Sequence, residues 1–171
     1  TPCILMSAYG NRDFDDTLAQ MKDILEARGF YCIGAIAPII PHIYSEKLGA
    51  DRPNAEDEKV FRQFAVTVKQ RLEDGLEESL MIPGNPKPEP KPMKPVVHYF
   101  DETKCKGCQT CVQKCPTSAI DKDTYQIKEE LCVGCLRCEK VCQGGARSSD
   151  YESIKKYLED NFCLPKVIKC Y

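Results

Sequence analysis

The spacing of the cysteines constrains this chain more than any other feature. Cys105-Lys-Gly-Cys108-Gln-Thr-Cys111-Val-Gln-Lys-Cys115 and Cys132-Val-Gly-Cys135-Leu-Arg-Cys138-Glu-Lys-Val-Cys142 spell C-x₂-C-x₂-C-x₃-C twice, 27 residues apart. A repeat at fixed offset is an internal duplication. Three thiolates at these intervals wrap one corner of a compact iron-sulfur cubane, and the fourth follows on a short helix. Four-thiolate zinc sites pair two C-x₂-C knuckles across a dozen or more residues, and a third thiolate two residues later does not suit that pattern. The chain therefore reads as a carrier of two [4Fe-4S] clusters. Gly107 and Gly134 let the backbone approach the sulfurs, and Pro116 ends the turn after Cys115. Gln143-Gly144-Gly145 replaces that proline in the second run, so a looser turn is expected there.

Of 12 cysteines in 171 residues, the remaining four are scattered. Cys3 and Cys32 lie in apolar runs and read as small hydrophobes. Cys163, Cys170 and His42 have no assigned role, and His98, on the strand entering the first motif, reads as structural. With no secretory signal in the sequence, thiols are expected to stay reduced in a cytoplasmic protein. A total of 24 Lys and Arg against 26 Asp and Glu gives a net charge of −2, which offers no field for nucleic acid. No apolar run reaches the roughly 18 to 20 residues of a membrane span. Lys104, Lys106, Lys114, Arg137 and Lys140 sit beside the ligands, where positive charge favours a reduced cluster and can steer an acidic partner.

Upstream the pattern is α/β. Cys3 to Ala8 is a continuous apolar run and reads as a strand buried on both faces. Asp13 with Asp16 reads as a capping pair for a helix over 15–28, stopped by Gly29. Phe30 to Ala37 is a second buried strand, parallel to the first. Pro53-Asn54 opens a second helix that ends by Gly75. Pro83 to Pro95 alternates proline with lysine and reads as an extended linker. The expected division is 1–82, linker 83–95, and 96–171 as the cluster domain with a C-terminal helix.

Residues 105–142 resemble the bacterial two-cluster ferredoxin domain at all eight ligand positions. That resemblance implies a small α+β fold with exchanged ligands: Cys105, Cys108, Cys111 and Cys142 for cluster I, and Cys132, Cys135, Cys138 and Cys115 for cluster II. Tyr9-Gly10-Asn11-Arg12-Asp13-Phe14-Asp15-Asp16, Gly29-Phe30, His42 and Arg52-Pro53-Asn54-Ala55-Glu56-Asp57 resemble the last two strand-helix units of the flavodoxin domain in flavodoxin-ferredoxin fusion proteins of anaerobic bacteria. This second resemblance implies a partial flavodoxin-like domain in which Tyr9, Gly10, Asn11 and Arg12 form a loop against an FMN ring.

The phosphate loop of such a site does not occur in the sequence, so FMN is expected only in a complete parent protein. The open sheet edge is expected to take a missing N-terminal segment or a second copy of the chain. No catalytic constellation emerges. The expected function is relay of single electrons to or from a redox partner protein or a flavin domain. The alternative is an iron-sulfur flavoenzyme module whose FMN site needs that further segment.

Overall fold

The computed structural model describes residues 1–89 and 96–171. In chain order the strands and helices are β1 (Pro2–Met6), α1 (Thr17–Glu26), β2 (Tyr31–Ala37), α2 (Ala55–Glu73), β3 (Val97–Phe100), α3 (Thr110–Gln113), α4 (Arg137–Lys140), β4 (Arg147–Asp150), α5 (Glu152–Phe162) and β5 (Lys169–Cys170). Among the described residues no helix is long and apolar enough to cross a membrane. The chain divides into two units, Thr1–Lys91 with Lys156–Tyr171, and Pro92–Lys155.

The first unit is built on β1 and β2, which pair in parallel with Pro2 opposite Tyr31 and a register shift between Cys3 and Ile4. Leu5, Tyr9, Leu18, Cys32, Ala35, Ala37 and Ile39 make its buried core. Burial is uneven between the two strands. β2 is buried along nearly its whole length, whereas in β1 only Leu5 is buried, and Ile4 and Met6 are exposed. The reading of Cys3 to Ala8 as a strand covered on both faces is thus corrected: among the described residues β1 is an edge strand whose one partner strand is β2.

Helix α2 carries a full capping box, with the Asn54 side chain accepting from the Glu56 and Asp57 amides and Asp57 returning to the Asn54 amide. Helix α1 has no such cap. Asp16 accepts from the Asn85 amide instead (2.8 Å), and Asp13 accepts from the Asp15 amide. The expected capping pair is therefore spent on loop closure, and the first residues of the 83–95 segment are tied to the start of α1. Residues 90–95 of the expected linker lie outside the described residues.

The carboxyl end departs from the expected division. Residues 156–171 fall in the first unit, where β5 pairs antiparallel with β2, Ile36 opposite Cys170 and Ala37 opposite Lys169. Tyr171 and Ala35 exchange both backbone hydrogen bonds (2.9 and 3.2 Å). Two parallel strands alone leave half the ladder groups of β2 unpaired; the chain end supplies partners for Ala35 to Ala37, while at Cys32 the amide donates to Ser79 Oγ and the carbonyl accepts from the Leu80 amide. The Asn11 side chain fixes the approach to β5: its Nδ2 donates to the Phe162 and Leu164 carbonyls (2.8 and 3.0 Å), and its Oδ1 accepts from the Lys166 amide (3.2 Å).

In the second unit β3 and β4 pair antiparallel, with Phe100 opposite Arg147 and Val97 opposite Asp150. A bridge joins Ile120 to Ile127. Moving each member of the Phe100–Arg147 pair by 27 residues, one forward and one back, gives Ile127 and Ile120. Two backbone bonds repeat the relation, from the Asp101 amide to the Ala146 carbonyl (2.9 Å) and from the Lys128 amide to the Ala119 carbonyl (2.8 Å). Each half of the duplication thus pairs with the other half, and the small unit is a two-fold weave.

Candidate metal centre

The local backbone of the two cysteine runs is the same. Gly107 and Gly134 have φ of 66° and 61°, and Gln109 and Leu136 have φ of 55° and 53°. These left-handed steps turn the chain sharply between successive cysteines, which glycine takes without strain and a side-chain-bearing residue takes at some cost. Helices α3 and α4 then begin at matching positions, Thr110 and Arg137.

After each fourth cysteine the chain turns back in the same way. The Ser118 amide donates to the Cys115 carbonyl at 3.4 Å and the Gly145 amide to the Cys142 carbonyl at 3.1 Å. The expectation that Gln143-Gly144-Gly145 loosens the second turn is corrected, since its closing bond is the shorter. Gly144 is needed there because a Cβ would stand 2.6 Å from the Lys104 carbonyl oxygen.

Two concave sites result. Cys105, Cys108 and Cys111 of the first run line one together with Cys142 of the second. Cys132, Cys135 and Cys138 of the second run line the other together with Cys115 of the first. The crossing follows from the weave, because each fourth cysteine sits at the end of a helix whose following turn pairs into the opposite half. Every sequence-predicted ligand is thus brought to one of two four-cysteine sites.

The surroundings suit thiolate. The Ala119 amide donates to Cys115 Sγ at 3.3 Å and the Ala146 amide to Cys142 Sγ at 3.2 Å, again 27 residues apart. Thr110 Oγ1 donates to Cys108 Sγ at 3.4 Å, and this bond and the Thr110 amide hold the Cys108 thiol below its ordinary pKa. For Cys115, burial pushes the thiol up, but the Thr117 and Ala119 amides and the Thr117 hydroxyl more than offset it. Cys138 is pushed up by burial, with Arg147 acting against that rise. Four thiols per site, with amide hydrogens aimed at sulfur, are a donor set fitted to an iron-sulfur cluster.

Two residues at these sites escaped the sequence reading. Arg147 is 5% exposed; its guanidinium lies 4.9 Å from the Phe100 ring centroid and donates to the Tyr125 carbonyl. It lines the Cys105 site, where a buried cation favours added negative charge. His98, read as structural, borders the Cys132 site with Nε2 3.4 Å from Cys132 Sγ. Comparing the two halves at the 27-residue offset finds both, because Arg147 stands against Ile120 and His98 against Tyr125. Lys104, one of the flanking cations, is paired with Asp101 at 3.0 Å.

The loop Tyr9-Gly10-Asn11-Arg12 lies in the first unit, where its residues are committed to packing. Tyr9 is 8% exposed and meets Phe14 edge-on at 5.5 Å. Asn11 is 3% exposed and bound to the chain end as described, and Arg12 pairs with Asp15. His42 is held by the Tyr44 amide on its Nδ1 (3.1 Å), and burial keeps its pKa below the ordinary value. Cys163 and Cys170 are exposed.

No curated protein matches the chain. Residues 98–121 and 125–148 each match the 4Fe-4S binding domain family. The two matches begin 27 residues apart and cover less than a third of the chain, so this region carries a duplicated ferredoxin-type 4Fe-4S binding motif.

Proposed function

We propose that the chain is a single-electron carrier in which Cys105, Cys108, Cys111 and Cys142 hold one [4Fe-4S] cluster, and Cys132, Cys135, Cys138 and Cys115 hold another. The observation that carries this reading is the crossing of the two cysteine runs into two four-thiol sites. Each cluster, when bound, supplies one reversible electron. The chain's own contribution is to hold eight thiolates in place, to aim the Ala119 and Ala146 amides at sulfur, and to keep the Arg147 cation buried nearby. The thiolates anchor the metal, and the two amides and the cation favour the added negative charge of reduction. The partner is a redox protein or a flavin domain that exchanges electrons with these sites.

Anaerobic purification with iron, sulfide and flavin counts tests the reading. About eight irons and eight sulfides per chain are expected, with a visible absorption that bleaches on reduction and returns on reoxidation. Stoichiometric zinc without sulfide, or clusters that resist reversible reduction, would overturn it.

A further inference from the structure

The two sites repeat in backbone but differ in what touches their sulfurs. At the Cys132 site His98 is held from both sides, with Nε2 3.4 Å from Cys132 Sγ and Nδ1 2.8 Å from Ser149 Oγ. At the Cys105 site the equivalent of His98 is Tyr125 and the equivalent of Ser149 is Lys122. Tyr125 packs against Phe100 with the rings tilted and their centroids 5.6 Å apart. Among the described residues no side chain is hydrogen-bonded to Cys105 Sγ as His98 is to Cys132 Sγ.

Hydrogen-bond chemistry decides what the imidazole does. A neutral ring has one N–H and one acceptor nitrogen. If the Ser149 hydroxyl donates to Nδ1, the hydrogen resides on Nε2, aimed at the sulfur. Such a donor draws charge from the sulfur and gains strength as the ligand becomes more negative, so it stabilises the reduced state of whatever the sulfur binds. The pair is half-buried, which limits competition from water.

We propose that His98, oriented by Ser149, is a positioning residue that donates Nε2–H to Cys132 and raises the reduction potential of the cluster at that site, so that the two clusters are inequivalent. This inference rests on the iron-sulfur reading above. This bond draws an entering electron toward the Cys132 site while the Arg147 cation lining the Cys105 site draws it the other way, so the two halves of the duplicated motif are tuned by different side chains.

The test is a redox titration of the whole chain, anaerobically purified, followed by electron paramagnetic resonance of the two reduced clusters. His98→Phe is expected to retain its iron and sulfide and to move one couple to lower potential, by about tenfold in its one-electron equilibrium constant or about 59 mV, while the other stays in place. Ser149→Ala is expected to move the same couple in the same direction by less. In protein carrying ¹⁵N-histidine, a nitrogen coupling is expected on one reduced cluster and is expected to vanish in His98→Phe.

With full cluster content, unmoved couples or an equal shift of both would overturn the proposal. If His98→Phe loses a cluster, Ser149→Ala decides: a shift of one couple supports the proposal and no shift overturns it. Absence of iron and sulfide from the unaltered protein would overturn the cluster reading itself, and this inference with it.

Discussion

The carbonyl oxygen of Lys104 stands 2.6 Å from where a Cβ on Gly144 would begin. Lys104 precedes the first cysteine of one run, and Gly144 follows the last cysteine of the other. Gly144→Ala must push these backbones apart, a strain of about 1 to 3 kcal/mol in a unit with a small core. The expected result is loss or lability of the cluster at the Cys105 site, with the other retained. Iron and sulfide counts together with the spectrum of the reduced protein measure it. Wild-type content and an unaltered spectrum would refute it.

The crossed ligand sets make a second prediction. Cys115→Ser is expected to damage the cluster at the Cys132 site, although Cys115 belongs to the first run, and Cys142→Ser is expected to damage the cluster at the Cys105 site. Each variant should disturb one of the two couples in a redox titration. Damage confined to the site of the variant's own run would contradict the crossing.

The Asn11 side chain makes three hydrogen bonds to the segment leading into β5. Asn11→Ala leaves two carbonyls and an amide without that partner, at a cost of roughly 1 to 3 kcal/mol. Faster hydrogen exchange across 162–171 and a Tm lower by several degrees for the first unit are expected, with cluster content unchanged. Exchange rates like those of wild type would show that these bonds do not hold the chain end.

Asp57 and Arg52 form a buried pair at the start of α2, and the guanidinium, opposed by burial and helped by the Asn54 amide, holds the Asp57 carboxyl below its ordinary range. A carboxyl lowered in the folded state contributes its full stabilisation above its unfolded value of about 3.9 and loses it as pH falls through the lower folded value. The first unit is therefore expected to weaken from about pH 5 downward. Asp57→Asn should be less stable at neutral pH and show a flatter acid limb. Hydrogen exchange in the first turn of α2 reads this apart from acid loss of the clusters, and parallel profiles would remove Asp57 as the cause.

What the sequence revealed, and what it hid, follows from the range of each signal. The cysteine runs are local and dense, so their spacing marked out the eight cysteines and their duplication, while the crossed grouping was anticipated only through the ferredoxin resemblance. The parallel pairing of β1 with β2 was legible from two apolar runs separated by a helix. β5 was not, because Lys169–Cys170 is too short to carry a period, and its place depends on unpaired groups of β2 more than 130 residues away. Asp16 was misread for a related reason: a carboxylate near a helix start can serve any nearby amide, and here the Asn85 amide takes it. Tyr9 and Asn11 sit where a ligand-contacting loop was expected, but only the fold shows that the chain end occupies Asn11. His98 lacked any local pattern, and its sulfur partner lies 34 residues away.

The pairing of Val97 with Asp150 bears on how this gene can be cut. The cluster segment enters and leaves its own small sheet at adjacent positions, so it sits in the chain as a cassette between the two portions of the first unit. A stop codon after residue 150 would spare every cluster cysteine yet strip β2 of β5 and Asn11 of its three partners. Excising 97–150 and joining the stumps with a short turn removes the metal sites while leaving both portions of the other unit in one polypeptide. Transplanting the cassette into a loop of another protein needs only an acceptor whose ends lie about 5 Å apart, the spacing of opposed residues in an antiparallel pair.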